Sequence, residues 1–295
     1  MLGERGVERT TISSDWERTP MKLVYIIVLN WNGWRDTLAC IASLLELEYR
    51  DTKLLIVDNG STDESVPRIR EAYPFVEILE NGINLGFGGG CNRGIRVALA
   101  RGAEYIWLIN SDATVAPEAL TALVQMADRD SSLGCVGSVA LEAEDKAKIQ
   151  FFGGGCVNLW LGRSVHRVAP GAIDFVSGAS ALYLRGALEQ VGLFDEDLFF
   201  MYWEDTDLGF RLRKAGWRLA VAEGSRIWHK QSASLGVGNP LLDEYATCSS
   251  TRFLRRHAPV PRISIFLMLV RMLAKRLLMG RLDRFLGVLR GYRNA

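Results

Sequence analysis

Residues 23–29 form an unbroken apolar run rich in Val and Ile, stopped by Asn30-Trp31-Asn32-Gly33. A short run of β-formers closed by turn residues predicts a strand buried on both faces. Leu38, Ile41, Leu44 and Leu45 then recur at helical spacing within residues 37–47. Residues 54–57 predict a second strand, closed by Asp58-Asn59-Gly60-Ser61, and residues 61–72 a short helix. A third strand follows at 76–79, then a glycine-rich turn and a helix at 88–101. Residues 105–109 predict a fourth strand, closed by Asn110-Ser111-Asp112, and 117–128 a helix with Pro117 in its first turn. This alternation implies a mainly parallel α/β sheet. Ligands of such sheets sit beyond the carboxyl ends of the strands. Asn30, Asp58, Asn84, Asn110 and Asp112 all fall there, so one cleft is expected to gather them.

The second half is less regular. Residues 151–155 and 175–184 predict further strands, 204–215 a helix, and 217–222 and 226–228 two short strands. Hydrophobic content of 48% and charged content of 23% exclude global disorder. Five dispersed cysteines without a Cys-x-x-Cys pair read as reduced thiols, not as a disulfide framework or zinc site. The polar first residues lack the apolar stretch of a signal peptide, so 1–21 is expected to be a loose extension of a cytoplasmic protein.

Charge divides the chain unevenly. The formal net charge is only +1, yet residues 252–295 hold eleven Lys and Arg against one acid, Asp283. The rest must be net acidic. The apolar run 263–270 is interrupted by Arg271 and is too short to cross a bilayer. Leu278, Leu282, Phe285, Leu286 and Leu289 predict a helical stripe with Arg281, Arg284 and Arg290 between them. Such a helix fits an anionic membrane interface. It fits equally a helix whose arginines face the acids of the body. It fits nucleic acid less well, for the tail is leucine-rich and not studded with stacking aromatics.

Several short segments can carry chemistry. Asp112 can hold a divalent cation at a diphosphate, or simply cap a turn. Asp58 can accept from a nucleoside, or form an Asx turn. The segment Asn84-Leu85-Gly86-Phe87-Gly88-Gly89-Gly90 can present amides to phosphate or pack a helix closely. Its spacing fails the dinucleotide fingerprint, which argues against a nicotinamide cofactor. Trp203-Glu204-Asp205-Thr206-Asp207 places three acids at a helix start. The helix dipole accounts for acids there, and one of them can also act as a general base. His229 follows a short strand, whereas His166 and His257 carry no motif.

Six blocks in order resemble one family: Val28–Gly33, Ile56–Asp63, Asn84–Asn92, Asn110–Asp112, Ser177–Ala179 and Glu204–Arg211. Over about residues 22–234 the chain resembles family 2 glycosyltransferases of the rhamnosyltransferase-like branch. The resemblance implies an α/β GT-A (Rossmann-like) fold with a mixed central sheet, spanning 22–255, and a basic helical appendage at 256–295. It implies an inverting transferase using a nucleotide-diphosphate sugar, with dTDP-rhamnose favoured and UDP-sugars possible. Asn30, Asp58, Asn84, Gly88, Asn92, Asn110, Ser111 and Asp112 would then serve the donor. Asp112 and His229 would hold Mg2+ or Mn2+, with Asn110 replacing the first acid of the family's Asp-x-Asp motif. Asp205 would be the base, Glu204 its partner, and Gly178, Ala179 and Trp203 the acceptor side. The acceptor would be a glycan or lipid-linked sugar of cell-surface polysaccharide synthesis, reached at the inner membrane face. The Gln-x-x-Arg-Trp signature of processive synthases is absent, implying one or a few additions. A degenerate sugar-nucleotide-binding protein and a sugar nucleotidyltransferase are the competing readings.

Overall fold

The computed structural model describes residues 21–230 and 239–295. The loose extension expected at 1–21 therefore lies, but for Met21, outside the described residues, as does Ser234 near the end of the family-like segment.

The first half alternates as expected: β1 (Val24–Asn30), α1 (Trp34–Leu45), β2 (Thr52–Asp58), α2 (Ser65–Ala72), β3 (Glu77–Glu80), α3 (Gly86–Ala100) and β4 (Tyr105–Asn110). There follow β5 (Ala113–Val115), α4 (Ala119–Arg129), β6 (Leu133–Glu142), β7 (Ile149–Phe152), β8 (Gly154–Asn158) and β9 (Arg163–His166). The chain continues through β10 (Phe175–Val176), β11 (Ser180–Leu184), α5 (Arg185–Val191), α6 (Glu204–Lys214) and β12 (Arg218–His229). Three helices end it: α7 (Pro240–His257), α8 (Pro261–Leu278) and α9 (Leu282–Arg293).

The central sheet runs β3-β2-β1-β4-β11-β6-β12-β5, with β7 added on β6. It is mixed. Strands β1 to β4 are parallel, but β11 lies antiparallel between β4 and β6. The period-2 geometry of a strand explains the two layers. Val24, Ile26 and Val28 of β1 face one core with α1 and α4, while Tyr25 and Ile27 face the other with α3 and α6. A smaller sheet, β10-β8-β9, flanks the site.

Several expectations need correction. The two short strands at 217–228 are one strand, β12, with an irregularity between Ala222 and Arg226. The strand expected at 151–155 breaks at Gly153, whose φ of +71° turns the chain from β7 into β8. The strand expected at 175–184 is split by a turn at Ser177-Gly178-Ala179. The tail stripe is also divided. Leu278 ends α8, and Gly280 at φ +64° redirects the chain before α9 begins at Leu282.

The helical appendage shares a core with the site. Phe253 and Leu254 of α7, Ile265, Met268 and Met272 of α8, and Val288 of α9 bury together with Phe199. Trp203 and Phe210 of the α6 region pack against this cluster.

Candidate active site

Strand register sets the polar strand ends side by side. Asn30 pairs with Asp58 across β1 and β2, and Leu29 with Asn110 across β1 and β4. Three polar strand ends thus reach one sheet edge. Asn30 is fully buried: its amide donates to Asp58 Oδ1 (2.8 Å) and Ser61 Oγ (3.1 Å), and its oxygen accepts from Thr37. Asp58 also accepts from Ser61 Oγ and the Ser61 amide, the geometry of an Asx turn. Beside them Asn59, unassigned from sequence, bonds Asn84 Oδ1 and the Gly86 carbonyl, while accepting from Asn81 and the Leu85 amide. Asn59 therefore ties the β2 end to the glycine-rich turn, and its signal lay within the Asp-Asn-Gly-Ser block.

The glycines of that turn permit close packing. A Cβ on Gly90 would lie 2.5 Å from Leu29 Cδ1, and one on Gly94 2.9 Å from Ile27 and Val57 methyls. Gly88 sits under Phe194 and Glu204, where a Cβ would meet Phe194 Cβ at 3.0 Å. Asn84 Oδ1 accepts the Gly86 amide at 2.8 Å. Asn92 is fully buried, and its amide group brackets the Phe194 backbone and Glu196. These contacts bind α3 to the loop preceding α6.

The end of β4 and the end of β12 form the second part. Asp112 Oδ1 lies 3.3 Å from His229 Nε2, and Asn110 Nδ2 lies 3.3 Å from the same nitrogen; Ser111 stands between Asn110 and Asp112. Gln150 on β7, which carried no sequence signal, orients the ring. Its Nε2 donates to the His229 carbonyl (3.4 Å), so its Oε1, 2.8 Å from Nδ1, accepts the ring proton. Nε2 is thereby aimed at the Asp112 carboxylate and Asn110 Nδ2. An imidazole nitrogen and a carboxylate placed so can share a cation. Among the described residues, no group of three or more His, Cys, Asp or Glu forms a metal cluster. Two ligands fit Mg2+ or Mn2+, which leave positions for water and phosphate oxygens.

The third part is the start of α6. Tyr202 and Trp203 both hold left-handed backbone, at φ +68° and +71°. This strain swings the following acids into the cleft. Asp205 Oδ1 accepts from the Thr206 amide (2.6 Å) and hydroxyl (3.1 Å), and Oδ2 accepts from the Gly178 amide (3.0 Å). The next residue, Ala179, accepts the Asn110 amide through its carbonyl at 3.0 Å. One turn, Ser177-Gly178-Ala179, thereby links Asp205 to the Asn110-Asp112-His229 group. Glu204 differs from its neighbour. It is buried, its Oε2 has no hydrogen-bond partner among the described residues, and burial with the adjacent Asp205 charge pushes its carboxyl up to about 8. Both causes favour the protonated carboxyl. Trp203 stacks on Phe253 with centroids 4.6 Å apart.

Asp205, Trp203 and Tyr202 line a cleft of about 350 Å³ with Ser177, His166 and Ala246. His166 stacks on Phe151 (4.8 Å) and Phe175 (5.6 Å), and Phe151 also meets the His229 ring at 6.1 Å. This row joins the Asp205 cleft to His229. His257 donates to Asp207 Oδ1 (2.7 Å), and Arg211 and Arg256 complete an ion cluster around that fully buried carboxylate. Neither histidine was legible from sequence, because each works through residues remote in the chain.

The parallel half gathers Asn30, Asp58 and Asn110 at one sheet edge, and the mixed second half, with α7, lines the acid-bearing cleft at Asp205. The profile of glycosyl transferase family 2 matches residues 25–192, more than half of the chain, and the chain belongs to that family. It is 33% identical over 222 residues to the N-acetylglucosaminyl-diphospho-decaprenol L-rhamnosyltransferase of Mycobacterium tuberculosis, covering 66% of this chain and 72% of that one. It is 26% identical over 204 residues to the poly-beta-1,6-N-acetyl-D-glucosamine synthase of Staphylococcus aureus, covering 66% of this chain and 47% of the synthase. The fold is similar to Staphylococcus aureus TarS 1-349 in complex with UDP-GlcNAc, with TM-score 0.61 and 15% identity over 92% of this chain and 79% of that one. It is also similar to a Pyrobaculum calidifontis mannosyltransferase in complex with GDP-Man and Mn2+, with TM-score 0.56 and 17% identity over 94% and 78%. The expected GT-A fold with its C-terminal helices is thus present.

Proposed function

We propose that this family 2 glycosyltransferase is an inverting enzyme in which Asp205 is the general base. The observation that carries the reading is the Gly178 turn, which bonds Asp205 on one side and Asn110 on the other. Asp205 Oδ2 accepts only the Gly178 amide and keeps lone-pair capacity, so a hydroxyl entering the Trp203–His166 cleft has an acceptor for its proton. That hydroxyl oxygen bonds to the anomeric carbon as the bond to the diphosphate oxygen breaks, and the proton passes to Asp205. Attack opposite the leaving group inverts the anomeric centre. Burial of Glu204 favours its protonated form, which limits a second charge beside the base. Asp112 and His229 would hold Mg2+ or Mn2+, and a bound cation supplies charge neutralisation to the departing diphosphate.

The donor favoured by the mycobacterial relative's printed activity is a nucleotide-linked rhamnose, with UDP-sugars as the alternative. The same name supports a lipid-linked or glycan acceptor in envelope polysaccharide synthesis. Among the described residues no helix is long and apolar enough to cross a membrane. The basic charge and exposed leucines of the tail support peripheral attachment at the cytoplasmic membrane face. Screening nucleotide sugars for release of nucleoside diphosphate, and reading the product's anomeric configuration by NMR, tests the proposal. Retention of configuration with an active donor would contradict it.

A further inference from the structure

We infer that the β8–β9 hairpin tip and the outward faces of α8 and α9 form a single docking face for an anionic lipid bilayer, placed beside the Asp205 cleft. The inference rests on the reading above for what the cleft accepts, and adds which surface brings it there.

Both helices are amphipathic in an unusual sense. On α8, Ser264, Ile265, Met268 and Met272 face inward. The opposite face carries Ile263, Phe266, Val270, Ala274 and Leu277, and all five are exposed. On α9, Gly287, Val288 and Gly291 face inward. A Cβ on Gly291 would lie 2.3 Å from the Glu244 carbonyl of α7, so α9 is seated backbone to backbone. Its outward face carries Leu282, Leu286 and Leu289. Phe266 is 64% exposed and Leu278 90%. Apolar side chains arrayed in this way mark an interaction surface.

The hairpin links α8 to the cleft. Trp160 and Leu161 at its tip are exposed. The next residue, Gly162, rests on Leu254 and Met268, and Arg271 of α8 donates to its carbonyl at 3.5 Å. Beyond it, Ser164 and His166 of β9 line the Asp205 cleft. The tip that would enter the interface and the wall of the cleft are thus parts of one hairpin.

Charge selects the partner. The inward arginines are neutralised by α7: Arg276 and Arg284 by Asp243, and Arg290 by Glu244. Arg163, Arg262, Lys275 and Arg293 have no ion pair among the described residues, and helical spacing sets Arg262 on a flank of the α8 stripe. Arg271 lies near the like charges of Arg163 and Arg276. A second copy of the chain would bring these cations together, whereas anionic headgroups neutralise them while the apolar stripes enter the acyl boundary.

The test is co-sedimentation of the full chain with phosphatidylcholine vesicles, with and without 30% phosphatidylglycerol, for wild type, Trp160→Ser, Phe266→Glu and Arg163→Gln. The account expects binding only with phosphatidylglycerol. It expects roughly fivefold weaker partitioning for Arg163→Gln, and about tenfold or greater loss for Trp160→Ser and Phe266→Glu. Equal binding to neutral vesicles, binding unaffected by Trp160→Ser, or dimerisation through this face without vesicle binding would each overturn it. Nucleotide-sugar binding, measured without vesicles, should be the same in all four proteins. Its loss in wild type would count against the transferase reading while leaving the vesicle result intact.

Discussion

The backbone amide of Gly178 donates to Asp205 Oδ2 at 3.0 Å, across 27 residues of chain. The bond holds the carboxylate against the turn that also fixes Asn110. A Cβ on Gly178 would press on the Phe87 ring edge at 3.0 Å. Gly178→Ala should therefore shift the turn by a few tenths of an ångström and lower kcat about tenfold, with donor KM little changed. Steady-state kinetics check this, and an unchanged kcat would show that the turn does not position the base.

Glu204 gives a pH signature in stability. Its carboxyl is raised in the fold from an ordinary value of 4.5 to about 8, by burial and then by the Asp205 charge. Between these values the folded chain keeps a proton that the unfolded chain has lost. The group's favourable contribution is therefore complete below about pH 4.5 and falls away as pH rises through about 8. Glu204→Gln should flatten the decline of melting temperature from pH 5 to 9, a difference on the order of a few kcal/mol. Parallel profiles for the two proteins would contradict the assignment.

The Asp207 cluster joins α6 to α7. Burial opposes its charge, but the His257 hydrogen bond and the Arg211 and Arg256 guanidiniums outweigh burial and hold the carboxyl below the usual range. Asp207→Asn leaves two guanidiniums without their buried partner, and should cost about 3–5 kcal/mol in denaturant unfolding. A loss below about 1 kcal/mol would mean that the cluster is not a structural tie.

Gln150 holds His229 through two hydrogen bonds, one at ring Nδ1 and one at the backbone carbonyl. Gln150→Ala should weaken Mn2+ binding by about 10–100-fold, measured by calorimetry in the presence of nucleoside diphosphate. Unchanged Mn2+ affinity would remove His229 from the proposed metal pair.

The parallel half was legible because β1, β2 and β4 are buried apolar runs ended by polar turns, and those turns set Asn30, Asp58 and Asn110 at one edge of the sheet. Strand β6 was not. Its Gly134, Gly137 and Ser138 give little β signal, yet Gly134 and Gly137 are required where Trp217 and the Gly153 backbone approach within 2.8 Å of a would-be Cβ. The tail leucines read as one stripe because spacing alone does not reveal the αL turn at Gly280. Gln150 lies 79 residues from His229, and His257 50 residues from Asp207, so their roles exist only after folding.

The central claim is that Asp205 removes the acceptor proton. The most direct measurement compares Asp205→Asn with wild type in a transfer assay, alongside calorimetric binding of the donor's nucleoside diphosphate. The account predicts kcat lower by about 10²–10⁴-fold with nucleotide affinity within about twofold of wild type. Transfer at the wild-type rate in Asp205→Asn would contradict it.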